Sequence, residues 1–208
     1  MDAQAWNERY ATSELIWTDQ PNRFVAEELA GQPAGRAVDI GAGEGRNAVW
    51  LARQGWRVLA VDFSAVALDK GRAFAERLKV GGQIEWHEAD VRTFSPEPGS
   101  YELALLSYLH LAPDALAGVF QRAARALAPG GVLLAVGHDR ANLEHGVGGP
   151  QEPEILYSPG ALRDVLTACG LSVPRAETRE RPTPEGVALD TFVLAFAPPE
   201  ADGVSAEG

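Results

Sequence analysis

Between Arg36 and Asp139 short apolar runs alternate with helical stretches, and that rhythm limits the kind of sheet the chain can form. Residues 36–41, 56–64, 83–91, 101–111 and 132–139 read as strands. Residues 44–55, 65–80 and 113–127 read as helices, the second capped by Ser64 and the third opened by Pro113 in its first turn. Apolar strands joined by helical crossovers run parallel and are covered on both faces. The last third breaks the rhythm. After a helix from Ser158 to about Ala168, two strand-like stretches (171–182 and 188–198) follow with no helix between them, so they pair antiparallel. The expected architecture is α/β: a doubly wound sheet of seven strands, mostly parallel, with a terminal antiparallel hairpin and helices on both faces. Residues 128–131, Ala-Pro-Gly-Gly, read as a turn, and the polar, Gly- and Pro-rich stretch 139–157 as a loop long enough to be functional. The expected layout is a single domain over 1–198, with a helical cap at 1–34 and a flexible tail at 199–208.

Within this frame the stretch Asp39-Ile-Gly-Ala-Gly-Glu-Gly-Arg46 ends the first strand. In a doubly wound sheet, ligands bind beyond the carboxyl ends of the strands where strand order reverses. Three glycines at alternate positions permit a tight turn and a close approach of backbone to ligand. The pattern is not a dinucleotide turn, G-x-G-x-x-G, because Arg46 stands at the third glycine place. Nor is it a P-loop, which needs Gly-Lys-Ser/Thr at its end. Asp62 follows Gly41 by 21 residues at the end of the second strand, where an acid accepts hydrogen bonds from ribose hydroxyls. Phe63 beside it is a candidate to lie against an adenine. Asp90 ends the third strand and is a candidate acceptor for an adenine amino group, with Val91 supplying its backbone N–H.

The formal net charge of −11 and the lack of any Lys/Arg cluster argue against binding nucleic acid through bulk charge. One cysteine, Cys169, allows no disulfide within the chain and reads as a small core residue on a helix. The amino-terminal stretch has no apolar signal region, and no run approaches the ~18 apolar residues of a spanning helix. The expected setting is cytoplasmic, with no membrane partner and no metal, since no His, Cys and acid set has ligand spacing.

In order and spacing, "VDIGAGEGR", "VLAVDFS", "EADV", "YELALLSYLHL" and "LAPGGVLLAV" resemble the motif series of the class I S-adenosylmethionine-dependent methyltransferases, over about residues 36–140. The fold implied is Rossmann-like. The head, "WNERYATSELIWTDQPNRFVAEEL", resembles the cap of a bacterial small-molecule subgroup that includes tellurite-resistance and thiopurine-type methyltransferases. Glu102 departs from the family, where Asp more often precedes the fourth strand. The resemblance implies S-adenosyl-L-methionine as cofactor and S-adenosyl-L-homocysteine as product. It places Gly41, Ala42, Gly43 and Gly45 by the methionine part, with Asp39 supporting the loop. It gives Asp62 to the ribose, Phe63, Asp90 and Val91 to the adenine, and the Ser107 carbonyl to the methionine amino group, with Ser64 also among the cofactor-binding positions. Arg46 either meets the cofactor carboxylate or lies on the helix surface. Tyr10 and Trp17 either contact the sulfonium or, with Trp6, fasten the cap.

Methyl transfer holds an acceptor atom in line with the methyl, and an acceptor that carries a proton needs a base. His110 and His138, after the fourth and fifth strands, are the candidate catalytic residues, with Asp139 placed to orient an imidazole. His145 reads as exposed, and His87 has no assigned role. A capped site implies a small-molecule acceptor and a monomer or homodimer. The rival readings are a cofactor-binding module without turnover, an NAD-linked oxidoreductase, and a protein or RNA methyltransferase.

Overall fold

The computed structural model describes residues 3–12 and 18–200. In chain order the elements are α1 (Ala3–Tyr10), α2 (Arg23–Leu29), β1 (Arg36–Ile40), α3 (Arg46–Arg53), β2 (Arg57–Asp62), α4 (Ala65–Arg77), β3 (Ile84–Glu88), β4 (Tyr101–Ser107), α5 (Pro113–Ala126), β5 (Leu127–His138), α6 (Asn142–His145), α7 (Pro159–Ala168), β6 (Ser172–Thr183) and β7 (Gly186–Phe196). They build a seven-stranded sheet of order β3-β2-β1-β4-β5-β7-β6. Strands β1 to β5 are parallel, while β7 runs antiparallel to both β5 and β6. Strand order therefore reverses between β1 and β4, and the crevice at their carboxyl ends is the switch point where such sheets hold ligands.

Side-chain alternation along the strands splits the core into two layers. Leu103 and Leu105 of β4 face one cluster with Ala37, Leu134, Val136, Phe192 and residues of α2, α3 and α4. Ala104 and Leu106 face the other, with Val38, Leu133, Phe120 of α5 and Leu166 of α7. Ser64 caps α4 as the sequence implies, its hydroxyl accepting from the Ala67 N–H at 3.2 Å. Glu102 has a local structural use: its carboxylate accepts the Arg36 N–H at 2.6 Å, which ties β4 to the start of β1.

Several boundaries differ from the sequence reading; β3, for one, ends at Glu88, so Asp90 stands just beyond it. β4 ends at Ser107 instead of running to 111, because Tyr108 adopts φ 55° and turns the chain out of the sheet. The 128–131 turn is absorbed into β5 as an irregularity, with Tyr101 opposite Leu127 and Leu103 opposite Val132. The 139–157 stretch is not a bare loop. It contains α6 and a 3-10 turn at Pro153–Ile155, and a parallel bridge between Asp139 and Tyr157 ties its two ends together. The β6–β7 connection is a short hairpin turn whose last pair is Thr183 with Gly186. Trp17 and tail residues 201–208 lie outside the described residues.

Candidate functional site

The glycine loop leaves β1 at Gly41, whose N–H donates to the Val61 carbonyl at 2.8 Å, and enters α3 at Arg46. Gly41, Gly43 and Gly45 all have positive φ, at 78°, 55° and 73°. A side chain at each would meet a different neighbour. At Gly41 it would meet Leu109 at 3.2 Å, at Gly43 the Tyr10 hydroxyl at 2.8 Å, and at Gly45 the Trp86 ring at 2.4 Å. Gly45 thus makes room for an indole that also fills the space at Gly71 of α4. Close packing of helix to sheet accounts for this glycine, where the sequence reading placed it beside the methionine part.

The acid that holds the loop is Asp62 and not Asp39. Asp62 supports the glycine turn: Oδ2 accepts the Gly43 N–H at 2.8 Å and Oδ1 accepts the Ser64 N–H at 2.9 Å. Burial raises its pKa, and these backbone donors pull it part of the way back. Asp39, expected to support the loop, does not. It is 1% exposed, and neither carboxylate oxygen has a hydrogen-bond partner among the described residues. Burial, then the nearby Asp62 charge, raises its pKa to about 7, while Arg46 and the neighbouring Ala48 N–H oppose the rise.

Arg46 is half-buried at the start of α3, with its guanidinium 6.0 Å from the centre of the Tyr108 ring. No hydrogen bond or ion pair engages it among the described residues. Ser107, at the end of β4, presents a buried hydroxyl that is likewise unpaired. In register Asp39 lies opposite Leu105, so Asp39 and Ser107 share one face of adjacent strands. A buried carboxylate, a hydroxyl and a guanidinium, none of them in a side-chain hydrogen bond among the described residues, are collected at the switch point.

On the adenine side, Val91 is buried and Phe63 half-buried. Asp90 is engaged by Arg92, whose backbone N–H and guanidinium donate to it at 2.7–3.0 Å; that pairing holds its pKa below the usual carboxylate range. The head lies over the loop. Tyr10 of α1 is 5% exposed and stacks with Trp6, ring centres 5.4 Å apart, and the Ser64 hydroxyl donates to Asn7 at 2.5 Å. Lys70 of α4 donates to the Tyr10 carbonyl.

At the ends of β4, β5 and β7 the structure brings together a polar cluster that the sequence only half reveals. His110 is held at both ring nitrogens. Nδ1 lies 2.9 Å from the Ile155 carbonyl and must donate to it, so the neutral ring's Nε2 is the atom that accepts the long 3.4 Å contact from the His138 N–H. Burial lowers its pKa to about 4. The imidazole is therefore neutral with its lone pair covered, an arrangement suited to packing and not to taking a proton. Asp139 does not orient a histidine. Its Oδ2 accepts from the Thr178 and Thr191 hydroxyls at 2.7 Å each and its Oδ1 from the Ala141 N–H at 2.8 Å, which fastens the loop to the hairpin.

The acid that faces His138 is Asp190 of β7, directly opposite it in register and fully buried. Its Oδ2 accepts from the Tyr108 hydroxyl and from Arg181 Nε, both at 2.6 Å, and Oδ1 lies 3.4 Å from His138 Nδ1. Burial alone would raise its pKa, but His138, Arg181 and Tyr108 outweigh burial and lower it. Arg181 and Asp190 were missed because β6 and β7 read as an ordinary hairpin, and Tyr108 because its partners come from distant strands. One signal was present: an Asp interrupting an apolar strand, in "ALDTFVLAF", is costly unless donors meet it. His145 is exposed as expected. Among the described residues no group of His, Cys and acids has the placement of a metal site, and no helix is long and apolar enough to cross a membrane.

A doubly wound sheet with a glycine turn, an acid at the end of β2 and unpaired polar groups at the switch point is the arrangement in which such sheets bind nucleoside-type cofactors. A family model described as "Methyltransferase domain" matches residues 37–131. Ribosomal protein L11 methyltransferase of Pelotomaculum thermopropionicum is 36% identical over 107 residues, 51% of this chain and 33% of that protein. Ubiquinone biosynthesis O-methyltransferase of Alkalilimnicola ehrlichii is 32% identical over 113 residues, 53% of this chain and 44% of that protein. The chain thus spans less than half the length of these curated relatives. Among solved structures, one described as "Conversion of a Disulfide Bond into a Thioacetal Group during Echinomycin Biosynthesis" aligns with a TM-score of 0.74 at 20% identity, covering 97% of this chain and 95% of that one. A SAM-dependent methyltransferase of Methanosarcina mazei aligns at 0.67 and 19% identity, covering 87% and 100%. Residues 37–131 thus carry a methyltransferase domain, and the fold around it is the one seen in solved S-adenosylmethionine-dependent methyltransferases.

Proposed function

We propose that this chain transfers a methyl group from S-adenosyl-L-methionine to a small-molecule acceptor. The observation that carries the reading is the set of unpaired polar groups at the switch point. The Arg46 guanidinium suits the cofactor's carboxylate, and Asp39 with the Ser107 hydroxyl suits its ammonium group. Asp62 keeps lone pairs free for ribose hydroxyls while it holds the loop, and Phe63 and Val91 offer apolar surface to the adenine. When bound, the cofactor supplies a methyl group already activated on sulfur. The protein's part is to orient that group, exclude water and place the acceptor.

A small acceptor is supported by the α1 cap, which buries Tyr10 against the glycine loop, and by the acidic net charge of −11. The O-methyltransferase relative is named for a small-molecule pathway, whereas the L11 relative is named for a protein substrate. We read residues 1–198 as one functional unit with its head as the cap. The test supplies the cofactor labelled in its methyl group together with a panel of small hydroxyl, amine and thiol compounds, ribosomal protein and ribosomal RNA. Label in a small-molecule product is expected. Label confined to the ribosomal substrates would overturn the choice of acceptor.

A further inference from the structure

Between β5 and β7 lies a buried acid-imidazole pair to which the cofactor reading gives no task. His138 is 16% exposed at its side chain. Its Nδ1 and Asp190 Oδ1 are both enclosed, lie 3.4 Å apart and have no hydrogen-bond partner among the described residues, and no hydrogen bond engages Nε2 there. The other groups around it are Tyr108, with ring centres 4.9 Å apart, and neutral His110, stacked at 5.4 Å. Gly149 of the 139–157 stretch lies so close that a side chain there would sit 2.9 Å from Nδ1. Arg181 and Arg46 approach the Tyr108 ring from β6 and α3.

We propose that Asp190 is a positioning residue that keeps the His138 proton on Nδ1, so that Nε2 stands as the proton acceptor for a substrate group that must be deprotonated before methylation. Two features of geometry carry this. Oδ2 of Asp190 is saturated by two donors, the Tyr108 hydroxyl and Arg181 Nε, which fix the carboxylate plane and leave Oδ1 unpaired, with His138 Nδ1 3.4 Å away. A carboxylate only accepts, so the nitrogen facing it carries the hydrogen and the lone pair falls on the far side of the ring. The ends of β4 and β5 are adjacent, so His138 stands one strand away from the switch-point crevice.

The chemistry rests on the methyl-transfer reading. The acceptor's proton passes to His138 Nε2, the acceptor's electron pair forms the new bond to the methyl carbon, and the pair of the breaking carbon–sulfur bond stays on sulfur. The imidazolium, stabilised by Asp190, then returns its proton to water. A thiol ionises readily near neutral pH and has little need of such a base, whereas a hydroxyl does need one. The arrangement therefore fits a hydroxyl or protonated amine acceptor better than a thiol.

The test reads the imidazole itself, in cofactor-free protein, by nitrogen-15 correlation spectra of the ring. In the wild type the neutral His138 is expected as the Nδ1–H form. In Asp190→Asn the two donors on the Oδ2 side hold the amide oxygen there, which turns the amide NH2 toward His138. The ring then has to accept at Nδ1, and the spectrum is expected to switch to the Nε2–H form. Carbethoxylation of His138 at Nε2, followed by mass spectrometry, should be lost with it. Tyr108→Phe keeps the carboxylate and should leave the Nδ1–H form in place. An Nε2–H form in the wild type, or an unchanged spectrum in a folded Asp190→Asn protein, would overturn the proposal. The wild-type spectrum decides the matter even if the Asn variant does not fold. Because no cofactor is present, this result stands apart from whether S-adenosylmethionine binds.

Discussion

The hydroxyl of Tyr108 donates to Asp190 at 2.6 Å across 82 residues of chain. This single bond joins the end of β4, where the parallel part of the sheet opens into the crevice, to the antiparallel hairpin. The hairpin is thereby a wall of the site and not only an edge to the sheet. It also fixes Tyr108, which has a left-handed backbone that only tertiary contacts sustain; its N–H is held as well, by the Val136 carbonyl at 2.7 Å.

Tyr108→Phe should cost about 1.5–3 kcal/mol of folding stability, the scale of a hydrogen bond to a charged group left unmade. Urea unfolding checks this. A loss below about 0.5 kcal/mol would mean that Arg181 alone satisfies the carboxylate oxygen.

Gly45→Ala forces a side chain onto Trp86 at 2.4 Å and places it at φ 73°. Left-handed backbone and overpacking each cost about 1–3 kcal/mol, so a combined loss of about 2–5 kcal/mol is expected. In a double-mutant cycle with Trp86→Leu, the packing share should be recovered and the backbone share should remain. Strict additivity would show that Trp86 is not what this glycine accommodates.

Two buried groups make stability depend on pH in opposite directions. His110 has its pKa lowered to about 4, so as pH falls from about 6.5 toward 4 the unfolded chain gains a proton that the folded chain refuses, a loss on the order of 3 kcal/mol. Asp39 has its pKa raised to about 7, so as pH falls from 7 toward about 4 the folded chain takes the proton first, a gain on the order of 4 kcal/mol. Cofactor-free wild-type protein should therefore show a shallow profile in this window. His110→Gln should gain stability on acidification and Asp39→Asn should lose it, each relative to wild type. Parallel profiles for all three proteins would contradict both assignments.

The fold was legible because its signals are local. Alternating apolar runs, Ser64 and Pro113 at helix starts, and the lack of a crossover before β7 each follow from the residues at hand. The places where the reading slipped depend on contacts across the chain. Nothing in "SYLH" announces that Tyr108 turns left-handed, because the bonds that stabilise it come from Val136 and Asp190. Asp39 and Asp62 are both acids at strand ends, and only the three-dimensional path of the loop decides which one holds it. Asp139 follows His138 and so looked like its partner. Strand geometry sends successive side chains to opposite faces, and the acid on the face of His138 comes from β7.

Asp62→Ala removes the acceptor for the Gly43 and Ser64 N–H groups. Folding stability should fall by about 1–3 kcal/mol, and cofactor affinity should fall with it as the loop loses its support. Asp62→Asn retains one acceptor and should lie between wild type and Ala in both measurements. Wild-type affinity in the Ala variant would remove Asp62 from the site.

The most direct test of the central claim is calorimetric titration of the purified protein, wild type and Arg46→Ala, with S-adenosylmethionine, S-adenosylhomocysteine and NAD. Binding of the first two, none of NAD, and affinity reduced by about 1.5–3 kcal/mol in the variant are the predicted results, the last being the value of a lost charge-assisted hydrogen bond. Binding of NAD alone, or an Arg46→Ala protein that binds S-adenosylmethionine as tightly as wild type, would contradict the account of the switch-point site.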